Sequence, residues 1–315
     1  MSGLSTPVAY LIFNRPRHTR ESFASIKSQQ PSTLFIIADG PRDGHPDDRR
    51  RCREVREIVE AIDWPCTVLR NYSDVNLGCK RRVSTGLDWV FDHVEQAIII
   101  EDDCVPSAEF YAFCRALLER YAHQEAVWAV SGNSYQPEHR RGDGSYYFSK
   151  YPSSWGWATW RRAWRHYQGD VPFLAEWKQS PRWNACFPTS DERRYWGRVF
   201  NLVRQSKIDT WDFAWVACVL YGGGLVATPN ANLVKNIGFD AEGTHTTEPD
   251  EKGSYDLTPL GEIVHPAHIA ADREADEFYF RKSFAGQVSL FKRVVRRLTR
   301  TVAVQFARWS ARAAA

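Results

Sequence analysis

The first 130 residues alternate short, wholly apolar runs with longer stretches in which apolar residues return every three or four positions. The runs VAYLIF (8–13), LFIIAD (34–39), TVLRN (67–71), AIII (97–100) and VWAVSG (127–132) read as strands. Between them the spacing predicts helices from Thr19 to Ser28 and over 47–62, 81–94 and 107–121. In the second helix Val55, Ile58, Val59 and Ile62 share one face; in the third Val83, Leu87, Val90, Phe91 and Val94 do. Strands that are apolar throughout must be covered on both sides. The alternation therefore predicts an α/β fold of Rossmann-like type, a mostly parallel central sheet with helices on both faces.

Such a sheet has a preferred ligand edge, beyond the carboxyl ends of its strands. That rule selects Asn14 and Arg15 after the first strand, Asp39 and Gly40 after the second, Asn71 after the third, and Glu101, Asp102 and Asp103 after the fourth. Three adjacent acids repel one another, so a cation belongs nearby, and Arg15, Lys80 and Arg81 fall on the same edge. Carboxylates that meet a diphosphate do so through a hard divalent cation such as Mn²⁺ or Mg²⁺. The competing reading is a solvated acidic helix start, since Ser107 opens a helix just after Pro106. Placement directly after a buried strand favours the metal.

Composition narrows the field. The 315 residues suffice for one large domain or two small ones, and 43% hydrophobic with 25% charged residues suits a globular protein with a real core. A net charge of +3 gives no argument for nucleic acid. The seven cysteines are odd in number, widely spaced and without CxxC, which fits reduced thiols in a cytosol. The first residues have no basic region of a signal peptide, and no apolar run approaches the roughly 20 residues needed to span a bilayer. A cytoplasmic protein is expected. The N-terminal half has neither GxGxxG nor GxxxxGK[ST], so the usual dinucleotide and ATP loops are missing. The 13 tryptophans exceed the needs of a core; many lie between residues 155 and 215, and indoles also make platforms for sugars.

A strand ending in EDD, an early strand followed by NR and a second ending in ADG resemble the GT-A glycosyltransferases. The likeness is to the branch containing N-acetylglucosaminyltransferase I and related bacterial sugar transferases; EDD in place of the usual DxD points to that branch. It covers roughly residues 7–247. It implies a GT-A nucleotide-diphospho-sugar transferase domain over 1–265, with 1–132 the nucleotide-binding half and 133–265 the acceptor and catalytic half, and a tail at 266–315. It further implies Asp103 as the metal ligand, Asp102 near the donor ribose, Glu101 at the nucleotide or donor sugar, Asp39 at the uracil or ribose, and Asn14 and Arg15 lining the nucleotide pocket.

Later segments extend the picture. In YSDVNLGCKRR, Asn76, Leu77 and Gly78 form a turn before a helix, from which Lys80 or Arg81 would reach phosphate; a solvated loop is the alternative. In SSWGWATWRRAWRHY, Trp157, Trp160 and Trp164 have helical spacing. The resemblance puts this segment beside the active site, with Trp155 and Trp157 at the donor sugar or acceptor; a core-facing aromatic helix is the alternative. An inverting transfer needs a general base. Asp212 in WDFAW looks like the family's base, with Trp211 beside it as a substrate contact; Asp209 competes, or caps the helix. His245, in GFDAEGTHT, would touch the metal or diphosphate from a loop that Gly238 and Gly243 let move.

After Glu277 there are no acids. Basic residues and Phe291, Val294, Val295, Leu298, Val302, Phe306 and Trp309 make a basic amphipathic helix, suited to the inner face of the plasma membrane or to packing on its own domain or a dimer partner. The expected function is metal-dependent, inverting transfer of a sugar from a UDP-sugar, for example UDP-GlcNAc, to a hydroxyl of a glycan or lipid-linked acceptor in bacterial surface polysaccharide assembly. The alternatives are a sugar nucleotidyltransferase, for which NRPRHTR is not the Gly-rich triphosphate loop, and a non-catalytic protein that binds glycans or nucleotide sugars.

Overall fold

A computed structural model describes residues 3–136, 138–239 and 255–285. The first half runs β1 (Val8–Ile12), α1 (Pro16–Gln29), β2 (Thr33–Ala38), α2 (Asp48–Val59), β3 (Thr67–Tyr72), α3 (Cys79–His93) and β4 (Gln96–Glu101). These four strands lie in the order β3-β2-β1-β4, all parallel. Leu11 stands opposite Glu101, Ile12 opposite Ala38, and Ala38 opposite Tyr72. The strands therefore end together, and whatever follows them emerges on one edge.

The second half runs β5 (Cys104–Pro106), α4 (Ala108–Arg120), β6 (Val127–Ser131), β7 (Tyr146–Ser149), β8 (Trp157–Trp160), α5 (Arg161–Trp164), α6 (Leu174–Gln179), α7 (Pro181–Cys186), α8 (Ser190–Arg204), α9 (Asp212–Gly222), β9 (Leu225–Pro229), β10 (Val234–Asn236) and α10 (Arg273–Phe280), with one π-helical turn over 281–285. The sheet continues β4-β8-β6-β9-β7 to eight strands. Strand β8 is antiparallel to both neighbours, and β7 is antiparallel to β9. Strands β10 and β5 form a separate antiparallel ribbon just after the three acids. The fold is mixed α/β with a mostly parallel central sheet, as the apolar pattern predicts.

The central strands are buried on both faces. Tyr10, Ile98 and Ile100 pack into the core shared with α1 and α4, while Ala9, Leu11 and Ile99 pack into the core shared with α3 and α9. Helix α1 starts three residues earlier than expected, because the fixed φ of Pro16 suits a first helical position. Ser107 caps α4 by accepting from the Phe110 amide. Thr189 and Glu192 form a capping box at the start of α8.

The aromatic segment departs from expectation. Residues 157–160 are a strand, so Ala158 and Trp160 face one core and Trp157 the other. A helix would have put Trp157 and Trp160 on the same side. Ten tryptophans are buried, so most of the excess is core, including Trp177, Trp183 and Trp196 in a third cluster around α6–α9. Both the amphipathic pattern beyond Phe284 and His245 lie outside the described residues. No described helix is long and apolar enough to cross a membrane.

Helix α10 closes the far edge of the sheet. Asp272 caps it, and Asp276 accepts from Ser149 Oγ at 2.6 Å and from the Lys150 amide at 3.3 Å. Burial pushes the Asp276 carboxyl up to about 6, with Ser149 and Lys150 pulling it back. Between the ordinary carboxylate range and about pH 6, the folded state therefore binds more protons at this site than the unfolded chain does. The site's contribution to stability rises as pH falls through 6 towards 4. Asp276→Asn is expected to be the more stable protein at pH 7 and to lose that advantage by pH 4, a relative change on the order of 2–3 kcal/mol in urea unfolding. A difference between the two proteins that is constant from pH 4 to 7 would disprove the buried ionisation.

Candidate active site

A cavity of about 460 Å³ opens at the carboxyl ends of β1, β2 and β4. Its floor comes from the strand ends, with Phe13, Arg15, Asp39, Glu101, Asp102 and Asp103; its opposite wall comes from the start of α9, with Asp209, Thr210 and Asp212. Trp155 and Phe239 close one side. Their rings meet edge to face at 5.3 Å, and Tyr135 packs behind Trp155 at 5.7 Å.

The acids are organised by one guanidinium. Arg15 occupies the turn between β1 and α1 and reaches across to the end of β4. Its Nη1 donates to Asp103 Oδ2 at 2.9 Å and its Nη2 to Asp102 Oδ1. The Phe13 amide donates to the other Asp102 oxygen at 3.2 Å. Burial alone would lower the Arg15 pKa, but Asp102 and Asp103 raise it beyond its ordinary value. Asp102 is almost fully enclosed, whereas Asp103 keeps 16% of its side chain exposed. Gly238 packs so closely that a Cβ there would lie 2.5 Å from Asp103 Oδ2, and the Ile237 amide donates to the Asp103 carbonyl at 2.8 Å. No larger residue allows that approach.

Glu101, the last residue of β4, is unlike its neighbours. Among the described residues its carboxylate makes no hydrogen bond or ion pair. Burial and Asp103 push it up to about 8, with Arg15 opposing and Asp102 and Asp212 adding. Asp212 is the first residue of α9 and accepts from the Phe213 amide at 2.9 Å, where the helix dipole favours an anion. Asp209 does not cap α9: the N-cap position is held by Trp211. Instead Asp209 abuts Gly78 at the start of α3, where φ is +78° and a side chain would meet Asp209 Oδ2 at 2.8 Å.

At the other end of the cavity, Asp39 accepts from the Gly40 amide at 2.8 Å, the Leu77 amide at 2.9 Å and Asn76 Nδ2 at 3.1 Å. Burial raises its pKa, and the Leu77 and Gly40 amides, with Arg82, partly offset the rise. Asn76 and Asp39 thus form one knot on the cavity wall.

Several expected residues sit elsewhere. Asn14 is buried and donates to Asp48 Oδ1 at 2.8 Å, supporting the site from behind. Lys80 pairs with Asp170 at 2.9 Å, and Arg81 is exposed; neither lines the cavity. The reason is helical phase. Helix α3 begins at Cys79, and at 100° per residue it turns Cys79, Arg82 and Val83 inwards and Lys80 and Arg81 away. Trp157 does not line the cavity; it is 1% exposed and stacked on Trp211 at 5.3 Å. Trp211 reaches the cavity wall but is 2% exposed, so it offers little surface to a ligand. The site also recruits residues the sequence reading missed, chiefly Phe13, Arg42, Arg82, Asn236 and Phe239. Arg82 had a signal in its i+3 relation to Cys79; Phe239 had none.

The donor set fits a hard divalent cation. Residues 101–103 carry three carboxyl groups and Arg15 supplies one positive charge; with Glu101 drawn towards its protonated form by burial, at least one negative charge remains uncompensated among the described residues. Among those residues no group of three or more His, Cys, Asp or Glu side chains closes a metal site by itself. Mg²⁺-type sites need only one or two carboxylates when phosphates and water complete the shell. Asp103, with Glu101 beside it, meets that requirement.

No family model and no curated protein matches the chain. Among solved structures it is similar to the mannosyltransferase PcManGT from Pyrobaculum calidifontis in complex with GDP-Man and Mn²⁺, at 16% identity and TM-score 0.33, over 50% of this chain and 45% of that one. It is similar to mouse xyloside xylosyltransferase 1 in its apo form, at 9% identity and TM-score 0.34, over 68% of this chain and 81% of that one. It is also similar to HddC from Yersinia pseudotuberculosis, at 7% identity and TM-score 0.30, over 50% and 77%. The chain therefore spans less than half of the mannosyltransferase. Overlaps this partial do not identify a substrate.

Removing Arg15 leaves buried Asp102 and half-buried Asp103 side by side without a counter-charge. Arg15→Ala is expected to cost about 3–5 kcal/mol in chemical unfolding, and adding Asp102→Asn should recover part of that loss. Additive losses in the double variant would contradict the pairing.

Proposed function

We propose that the cavity is the donor site of a metal-dependent glycosyltransferase that takes its sugar from a nucleoside diphosphate. The observation that carries this reading is the single cavity in which the uncompensated acids of β4 face Asp212 at the positive end of α9, with Asp39 at the far end. A ligand with a cation-bridged diphosphate at one end and a neutral nucleoside at the other matches that distribution of charge.

In this reading residues 1–132 hold the donor and 133–265 hold the acceptor. Asp103, with Glu101 at hand, holds Mn²⁺ or Mg²⁺, which when bound offsets charge on the leaving diphosphate. Arg15 keeps Asp102 and Asp103 in place and sets the net charge of that end. Asp212 accepts the proton of the acceptor hydroxyl. The acceptor oxygen bonds to the anomeric carbon, the bond from that carbon to the diphosphate oxygen breaks, and its electron pair leaves with the nucleotide. A base on the wall opposite the leaving group gives inversion. Trp155 and Phe239 offer apolar surface for the faces of a sugar. The donor is UDP-linked, with UDP-GlcNAc a first choice for assay. A glycan or lipid-linked acceptor in bacterial surface polysaccharide assembly would suit a cytoplasmic enzyme held at the inner membrane face by the basic amphipathic pattern of residues 286–315.

A panel of UDP-sugars with Mn²⁺ is expected to yield released UDP from at least one donor; no release from any would remove the enzyme reading. With that donor, Asp103→Ala should lower Mn²⁺-dependent nucleotide affinity and turnover by about 100-fold. Nucleotide affinity that stays the same in this variant would show that Asp103 does not hold the metal. Asp212→Asn should lower kcat by about 10²–10⁴-fold with donor KM little changed. Retained turnover would move the base to Asp209 or elsewhere.

A further inference from the structure

One buried acid at the other end of the cavity has no part in this chemistry. Asp48, the first residue of α2, keeps only 4% of its side chain exposed. Its Oδ2 accepts from Arg42 Nε at 2.7 Å and from the Arg42 amide at 3.1 Å, and its Oδ1 accepts from Arg42 Nη2 at 3.1 Å and from Asn14 Nδ2 at 2.8 Å. The guanidinium is thus held in a bidentate grip whose other side is anchored to the turn after β1. Held in that way, it lies over the Phe13 ring at 5.4 Å, and both side chains line the cavity.

An acid at a helix start usually serves the helix by accepting from its own amides. Asp48 makes no such bond; N-cap Asp47 makes no side-chain cap either, and Arg49, Arg50 and Arg51 follow at the positive end of the dipole. All four side-chain hydrogen bonds of Asp48 go to the two loops that border the cavity. Arg42 keeps 38% of its side chain exposed, and its Nη1 makes no hydrogen bond among the described residues. A fixed plane with an open donor edge is a recognition element, not a loose surface charge.

Its place in the sheet says what it would recognise. The order β2-β1-β4 puts the end of β2 two strand spacings, about 10 Å, from the acids of β4. A nucleotide with its diphosphate at β4 lays its nucleoside over β1 and β2, against Phe13, Asp39 and Arg42. We propose that Asp48 is a positioning residue for nucleoside recognition: with Asn14 it locks Arg42 against Phe13, so that the free N–H edge of Arg42 meets a carbonyl of the donor's base. This inference rests on the reading of the cavity as a nucleoside-diphosphate site.

The test compares two probes in the presence of Mn²⁺ by calorimetry: the tightest binder among UDP, CDP, GDP and dTDP, and inorganic pyrophosphate, which lacks the nucleoside. Arg42→Ala and Asp48→Ala are expected to weaken the nucleotide about tenfold or more and to leave pyrophosphate within twofold. Arg42→Lys should not restore binding, because an ammonium cannot be held bidentately. In turnover the change should fall on donor KM rather than kcat. Asp48→Asn, which keeps the shape of the buried side chain, carries the test if Asp48→Ala does not fold, and retained pyrophosphate binding reports an intact fold. Equal losses for both probes, or nucleotide binding by the Asp48 variants equal to that of the unaltered protein, overturn the inference alone. If the unaltered protein binds pyrophosphate but prefers no nucleoside diphosphate over it, the nucleotide reading falls as well.

Discussion

The ligand edge depends on how charge is reconciled where β1 and β4 end. Three consecutive carboxylates follow a strand buried on both faces, and the chain supplies one cation for them. Arg15 can do this because the two strands are parallel and in register, so the turn after β1 opens beside the end of β4. Its two Nη atoms go to Asp102 and Asp103, one to each. Glu101, without a partner, is left as the group whose ionisation burial opposes. The acid cluster is therefore divided by partner: Asp102 and Asp103 are locked to Arg15, Glu101 has no counter-ion among the described residues, and all three line the cavity.

The opposite wall has a different origin. Helix α9 is carried by the aromatic core around α6–α9, and its first turn is pinned by Trp157, which stacks on Trp211 beneath Asp212. Trp157 thus acts on the site through packing. It belongs to β8, the antiparallel strand between β4 and β6, so the strand bearing the acids touches the strand that supports the start of α9. Truncating a fully buried tryptophan of this kind costs about 3–5 kcal/mol and would move the facing acid with it. Floor and wall are coupled through one hydrogen-bonded strand pair.

The parallel half of the fold was readable because its signal is local. Runs of four to six apolar residues alternate with helical periods, and the carboxyl-edge rule then selects Arg15, Asp39 and the three acids without reference to any relative. Other features were less readable, for physical reasons that can be named. WATW is short, and three tryptophans spaced by three and four mimic a helix, yet pairing with β4 and β6 makes the segment a strand. Charge alone points to Lys80 and Arg81, but the start of α3 at Cys79 sets a phase that selects Arg82. Position alone points to Asn14, but Asp48, 34 residues on, holds its side chain. That contact depends on the loop from β2 to α2 folding back, which no local period encodes.

The two ends of the cavity solve opposite problems. Around β2 the two acids are held within the protein: Asp48 by Arg42, and Asp39 by two amides and the Asn76 side chain. Around β4 the same chain leaves a negative charge over, with Glu101 beside it drawn towards its neutral form. Desolvating a charge without a partner is costly, so a fold keeps such a deficit only where a ligand completes it or where strain is part of function. In the proposed function, a surface that presents fixed donors and acceptors at one end and an unfilled demand for positive charge at the other would be complementary to a nucleoside joined to a metal-bound diphosphate. Under the proposed function, this asymmetry along one sheet edge would orient such a ligand with the bond to be broken on the side of Asp212.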